Sequence, residues 1–273
     1  MQSVVVTPTE STTQALGAAK YVCVVLGARG GAGSKMVKSL LENQSVAEVR
    51  AIVRDPAKVA KGTLPDDDLR LKVITGDVAT SASLKDVFEG ATHVLNFTAG
   101  RSYEACQAVD CNGVGETAKL AKACGVQRYL LCSSQLVDPG PNSGKFIRLM
   151  LNNVITGKFC KKQLGAMDLK HEGEKLLRRS GIEYTIVRPG RLTFGPSRAG
   201  NARVGQTNSH FMSGAPTTRS DLADVCVVAA LDPACANVTF EMACEKPKKG
   251  EAALPPTSSL FDGLDPKWDD AMI

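Results

Sequence analysis

The sequence is short of three things. It has no run of about 18 apolar residues that could span a bilayer, only three histidines, His93, His171 and His210, and few aromatic residues, 5% of 273. The first absence removes the classes built on transmembrane helices. The second, with no Cys-x-x-Cys pair among the nine cysteines, leaves no ligand spacing for a zinc module. The third removes the aromatic interleaving on which single-stranded nucleic acid stacks, so nucleic acid is not the expected partner. Cysteine is not scarce, but Cys23, Cys132 and Cys226 lie inside the apolar runs YVCVV, YLLCSS and DVCVVAA. There the thiol serves as a small hydrophobe, and a reducing compartment is the simplest setting. With 43% hydrophobic and 22% charged residues, the composition is that of a soluble globular protein.

The net charge of +5 is concentrated in one place. Residues 141–180 carry nine Lys and Arg, at 145, 148, 158, 161, 162, 170, 175, 178 and 179, against Asp168, Glu172 and Glu174. Such a stretch is either a solvated helical face or a surface for an anionic membrane or protein complex. Residues 1–20 are rich in Ser and Thr, without Arg or an apolar signal core, and read as a flexible leader.

From Tyr21 onward, short β-branched runs alternate with helical stretches: YVCVVL at 21–26, EVRAIV at 48–53, LKVIT at 71–75, THVLNF at 92–97, RYLLCS at 128–133 and YTIV at 184–187. Strands separated by helix-length segments make βαβ units. They predict a Rossmann-like, doubly wound α/β fold with a parallel sheet, as one domain over 21–245. Residues 246–273 read as a linker followed by an acidic and aromatic tail, disordered or serving as a partner anchor through 257–273. The segment 146–159 has Ile147, Met150, Leu151, Val154 and Ile155 at helical spacing. It is a core-packed helix, a lid over the substrate pocket or a membrane contact.

The first strand runs into Gly27-Ala28-Arg29-Gly30-Gly31-Ala32-Gly33 and a helix opening SKMVKSLL. Glycines at that junction allow a tight turn and close backbone approach, and the helix N-terminus offers free amides and a positive dipole end to a pyrophosphate. After strand two, an NAD site would carry Asp or Glu for the ribose 2′-hydroxyl. Here Arg54 follows Val53. A guanidinium suits a 2′-phosphate, with Arg29 as the second jaw, and predicts NADP(H) as the cofactor. The alternative for Arg54 is a surface pair with Asp55. Asp77 and Val78 after strand three would edge the adenine, and Thr98, Ala99 and Gly100 after strand four would follow the ribose and phosphates.

These residues, in this order, resemble the atypical short-chain dehydrogenase/reductases of the NmrA-like group. Ser133-Ser134, KHEGEKLLRRSGIEYTIVRPGRLT at 170–193, TTRSDLADVCVVAAL at 217–231 and NVTFEMACE at 237–245 extend the likeness over about residues 21–245. Within the group the pattern is nearest to the dehydrogenase-like subunit of the chloroplast import translocon and to the biliverdin-IXβ/flavin reductases. That resemblance implies a plastid stroma, with cytosol as the alternative, and places the Arg188-Pro189-Gly190 turn, Pro189 included, beside the nicotinamide. Lys170 matches the superfamily's active-site Lys, and with Ser133 it is the catalytic candidate: Lys170 to hold the nicotinamide ribose, Ser133 to hydrogen-bond a substrate carbonyl or the carboxamide. The departure is at 166, where Ala166 replaces the usual general-acid Tyr; the nearest relatives lack that Tyr too. His171, about 100° around the helix from Lys170, is expected in solvent. The expectation is an NADPH-dependent reductase of a small planar acceptor of flavin, quinone or tetrapyrrole type. The alternative is a redox sensor or scaffold that binds NADP(H) without turnover.

Overall fold

The computed structural model describes residues 20–138, 145–156, 165–196, 200–207, 217–245, 247–250 and 252–268. Lys158, Lys161, Lys162 and Cys160 lie outside them, as do the leader and His210. The strands are β1 (Tyr21–Leu26), β2 (Val46–Val53), β3 (Leu71–Thr75), β4 (His93–Asn96), β5 (Arg128–Cys132), β6 (Glu183–Pro189), β7 (Leu192–Thr193), β8 (Asn201–Gly205), β9 (Thr217–Thr218) and β10 (Val238–Glu245). The helices are α1 (Gly31–Glu42), α2 (Lys85–Phe88), α3 (Tyr103–Ala105), α4 (Val114–Ala123), α5 (Lys145–Thr156), α6 (Ala166–Arg179) and α7 (Arg219–Leu231), with a π-helical stretch, Cys106–Gly113, joining α3 to α4.

One eight-stranded sheet has the order β3-β2-β1-β4-β5-β6-β10-β8. All neighbours are parallel except β10 and β8. The predicted doubly wound fold is therefore the observed one, with strand ends within two residues of the expected bounds; the largest differences are at β2, which starts two residues earlier, and at β6, which runs two residues further to Pro189. The order reverses between β1 and β4, and a sheet of this kind binds its ligand in the crevice there, at the carboxyl ends of the strands.

Alternate residues of β1 serve two cores, as a strand buried on both faces requires. Cys23 and Val25 face Met36, Val37 and Leu40 of α1 and Leu222, Val225 and Cys226 of α7. Val24 and Leu26 face Phe88, Ala118 and Leu177 on the other side. In the first of these cores α1 lies alongside α7, and Ser39 Oγ donates to Asp224 Oδ1 at 2.9 Å.

The stretch expected to be a tail does not all leave the domain. Phe261 is 3% exposed and packs against Phe240 of β10 with ring centroids 5.4 Å apart, Gln206 Nε2 donates to the Asp265 carbonyl at 2.9 Å, and the Trp268 ring lies 5.7 Å from the Arg188 guanidinium. An aromatic-poor chain gains more by burying these rings than by leaving them in solvent. No helix among the described residues is long and apolar enough to cross a membrane.

Candidate functional site

Gly27 sits at φ +78°, a conformation that favours glycine, and a Cβ there would meet the Phe97 carbonyl at 3.0 Å. The carbonyl of Gly27 accepts from Gly30 N at 2.8 Å, closing the turn. Gly33 is more constrained: a Cβ would lie 2.3 Å from that same carbonyl. The loop can therefore press α1 against the end of β1 only with glycine at this position. Gly30 is the N-cap, and the first turn, Gly31, Ala32 and Gly33, has no acidic residue to compete for its amides. This is a built anion cradle.

At the end of β2, Arg54 is exposed, and so is Arg29 in the loop. The expected surface pair of Arg54 with Asp55 is not what forms. Asp55 caps the next turn, accepting from Ala57 N at 3.0 Å, and pairs with Lys58 at 3.1 Å. Arg54 and Arg29 make no ion pair among the described residues. Asp77 caps its own turn, accepting from Ala79 N at 3.0 Å, and Val78 is buried beside it. After β4, the Asn96 carboxamide oxygen takes both Thr98 N, at 2.9 Å, and Thr98 Oγ1, at 2.6 Å. Ala99 stays exposed.

Gly100 links this loop to the other half of the crevice. Its N–H donates to Asp110 Oδ2 at 2.8 Å, while Asp110 Oδ1 holds Lys170 Nζ at 2.5 Å. Asp110 projects from the π-helical stretch, a geometry frequent at functional sites. Close packing of α6 makes this pair possible, because a Cβ on Gly173 would fall 1.9 Å from the Asp110 carbonyl. Burial by itself would lower the Lys170 pKa, but the Asp110 carboxylate outweighs it and holds the ammonium above its ordinary range.

Beyond Lys170 the polar groups are engaged with one another. Glu174 is fully buried and binds Arg188 twice, at 3.1 Å to Nε and 2.5 Å to Nη2, and Arg178 at 3.3 Å. Burial would raise its carboxyl, yet the two guanidinium groups hold it at about 2. Ser133 is 8% exposed, with its hydroxyl near enough to Glu174 to favour the carboxylate but without a well-formed hydrogen bond. Gln135 donates to the Met242 carbonyl at 3.3 Å and approaches Gly190, the residue after Pro189. Ala166 is fully buried with Cys106, Val137, Met167 and Leu169, so the position of the usual general acid is core. Tyr129 is buried on Asn96 and Thr117, its hydroxyl pushed up to about 12 by desolvation. Tyr103, on α3 after β4, is the tyrosine at the cofactor end of the sheet.

The structure corrects the expectation for His171. It is 7% exposed, not in solvent, and burial lowers its pKa. The reason is that α6 is covered on more than one side, by α5, by the π-helical stretch and by the sheet, so a residue 100° from Lys170 is still inside. The basic stretch is also partly internal: Arg148 pairs with Asp168, Lys170 with Asp110, Lys175 with Glu172 and Arg178 with Glu174. On α5, Leu151 packs inward while Leu149 and Met150 are exposed; the side chains of Ile147, Val154 and Ile155 lie outside the described residues.

Asp110 and Glu174 are site residues that the sequence reading missed. Glu174 had a signal, standing four residues from both Lys170 and Arg178 on one helix. Asp110 had none, because its partner is sixty residues away.

The arrangement fits a dinucleotide: a glycine cradle, free first-turn amides, and two exposed arginines, one in the glycine loop and one at the end of β2. Comparison with known proteins agrees. A family model described as NAD(P)H-binding matches residues 27–233. An uncharacterized chloroplastic protein of Arabidopsis thaliana is 30% identical over 182 residues, 63% of this chain and 59% of that protein, and an uncharacterized sugar epimerase of Bacillus subtilis is 25% identical over 76% of this chain and 86% of its own. The chain thus spans less than two thirds of the Arabidopsis protein. Among solved structures, a wide-type short-chain dehydrogenase/reductase of Veillonella parvula in complex with NADP has a TM-score of 0.62 at 17% identity, covering 85% of this chain and 97% of that one. An anaerobillin reductase of Escherichia coli O157:H7 has 0.60 at 21%, covering 86% and 99%. These two share the fold.

Proposed function

The chain belongs to the NAD(P)H-binding family, and from that premise we propose that it is an NADPH-dependent reductase of a small planar acceptor of flavin, quinone or tetrapyrrole type. The observation that carries the cofactor choice is the exposed Arg54 at the end of β2, without an ion pair among the described residues, where an NAD site would put a carboxylate; Arg29 is likewise exposed in the glycine loop. The bound cofactor would supply a hydride. The protein's part is to hold and orient. The amides of Gly31, Ala32 and Gly33 would take the diphosphate, Thr98 to Gly100 the ribose, and the Lys170 ammonium, kept charged by Asp110, the second ribose.

No side chain at position 166 can hand a proton to the acceptor, so an acceptor that draws its proton from water fits best. The anaerobillin reductase among the fold's neighbours supports a reductase of this kind. The chloroplastic relative supports a plastid setting and the Bacillus relative a cytosolic one; the location of a fluorescent fusion of the full chain checks between them.

A second reading has its own observation. Lys170, Glu174, Arg178 and Arg188 are all tied to partners inside the protein, as suits a cofactor-binding sensor or scaffold without turnover, attached to a complex or membrane through 141–180 and 257–273. Titration with NADPH and NADH, followed by nicotinamide fluorescence, tests both. Tight NADPH binding, weakened about tenfold or more by Arg54→Ala, with oxidation when flavin is added, supports the reductase. Binding without oxidation by any of the three acceptor types selects the sensor. Equal affinity for NADH and NADPH, unmoved by Arg54→Ala, defeats the NADP(H) assignment.

A further inference from the structure

We propose that Arg219 is a second, mobile wall of the diphosphate site, closing over the glycine loop from α7. The inference rests on the dinucleotide-binding reading and adds to it a residue on the far side of the fold in sequence. Three observations converge on it.

The first is position. A Cβ on Gly31 would lie 3.0 Å from both Cδ and Nε of Arg219 and 3.3 Å from Cε1 of Phe194. The Arg219 stem therefore crosses directly over the first turn of α1, and a side chain at position 31 would push it aside by a few tenths of an ångström. The second is an unmet bond. Arg219 Nη1 is buried and has no hydrogen-bond partner among the described residues, a costly condition for a guanidinium nitrogen unless a ligand completes it. The third is what the guanidinium rests on: its centre is 4.1 Å from the centroid of Phe194, whose side chain is 78% exposed. An exposed phenyl ring stacked on an arginine over an anion cradle is a removable cover, since the cation–π contact is weak beside a charge-assisted bond to phosphate.

Local structure explains why these residues meet. Pairing of β7 with β9, Leu192 with Thr217 and Thr193 with Thr218, sets Phe194 beside Arg219. Thr218 caps α7, its hydroxyl accepting from Asp221 N at 3.0 Å and donating to the Pro196 carbonyl at 3.0 Å. Ser220 ties to the Gly195 carbonyl at 3.2 Å. Because Gly31 meets Arg219 and Ser39 meets Asp224, α1 and α7 run in the same sense, and the positive ends of two helix dipoles point at one place. A diphosphate seated on the amides of α1 lies within reach of the guanidinium fork, which matches two phosphate oxygens at once.

The diphosphate is common to NADH and NADPH, whereas Arg54 addresses only the 2′-phosphate, and this separates the two roles. Binding of each nucleotide is measured by fluorescence on wild type, Arg219→Ala, Arg219→Lys, Phe194→Ala and Arg54→Ala, with thermal melts to confirm folding. The expected result is that Arg219→Ala weakens both nucleotides by the same factor, about 10- to 100-fold, so that their ratio is kept. Lys, which keeps the charge without the fork, restores part of the loss, and Phe194→Ala costs a few-fold. Arg54→Ala collapses the ratio instead. Unchanged affinity in Arg219→Ala, or a loss confined to NADPH, overturns the inference while leaving the dinucleotide site standing. Wild type that binds neither nucleotide removes the premise and the inference together.

Discussion

The two halves of the crevice treat their charges in opposite ways. At the cofactor half, Arg29 and Arg54 are exposed and make no ion pair among the described residues, and the first turn of α1 contains no acidic residue. At the acceptor half, Lys170 is tied to Asp110, and Arg178 and Arg188 converge on Glu174, all of them buried or nearly so. One half keeps its cations clear of ion pairs among the described residues; the other ties the same kinds of residue to buried carboxylates. The contrast shows how a dinucleotide site can stand beside a buried Ala166, for the Glu174–Arg188 pair holds α6 against β6 whatever residue occupies position 166. Asp110 joins the two, with one oxygen on the Gly100 amide and the other on Lys170.

The largest effect should come from breaking the buried cluster. Glu174→Ala leaves two guanidinium groups without their carboxylate, a loss of about 3–5 kcal/mol, or a melting temperature lower by about 10 °C. If the halves are as separate as their charges suggest, NADPH affinity measured well below the melt stays within a few-fold of wild type. A parallel collapse of affinity would break the comparison.

Acid should separate scaffold from site next. Burial, with help from Arg128, lowers His93 from 6.5 to about 4. The unfolded chain takes up that proton first, so stability is whole above pH 6.5 and is lost as pH falls towards 4, on the order of 3 kcal/mol. Glu174, held at about 2, adds a second loss as pH falls below 4.5. Thermal melts against pH should show both legs, and His93→Gln should shrink only the upper one, leaving there the share of His171, whose pKa burial also lowers. A single leg unchanged by His93→Gln would refute this assignment.

Gly33→Ala acts on the other half. Its Cβ would fall 2.3 Å from the Gly27 carbonyl, so the helix must retreat from the strand. The expected cost is about 1–3 kcal/mol of stability with nucleotide binding lost by tenfold or more, the reverse of the Glu174 pattern. Stability and affinity both unchanged would mean that α1 is not held where the loop places it.

The cofactor half was legible because its signals are local. Seven consecutive residues at a strand-to-helix junction specify the turn, and the arginine that stands directly after β2, at position 54, is read from a single position. The acceptor half is built by contacts across the chain. Lys170 was placed by its motif, yet its partner Asp110 lies on another helix sixty residues away, and Gly173 looks like a helix breaker until the Asp110 backbone is seen against it. His171 was misjudged because helical periodicity assumes one covered face, and α6 has several. Phe261 falls within the stretch read as a tail, because the Pro, Lys and Gly residues of EKPKKGEAALPP at 245–256 mark a break in composition but not in packing.

The smallest effects sharpen the contrast most. Arg29→Ala and Arg54→Ala remove exposed cations, so each should leave stability within about 0.5 kcal/mol of wild type. Each should still weaken NADPH by several-fold to about tenfold while sparing NADH. If the two arginines grip one phosphate, their effects are coupled. The double variant then loses less than the product of the single losses, because the second arginine has less to hold once the first has gone and the phosphate has shifted. Strict multiplication of the two losses would mean separate targets, with Arg29 serving the diphosphate beside the glycine loop and Arg54 alone reading the 2′-phosphate.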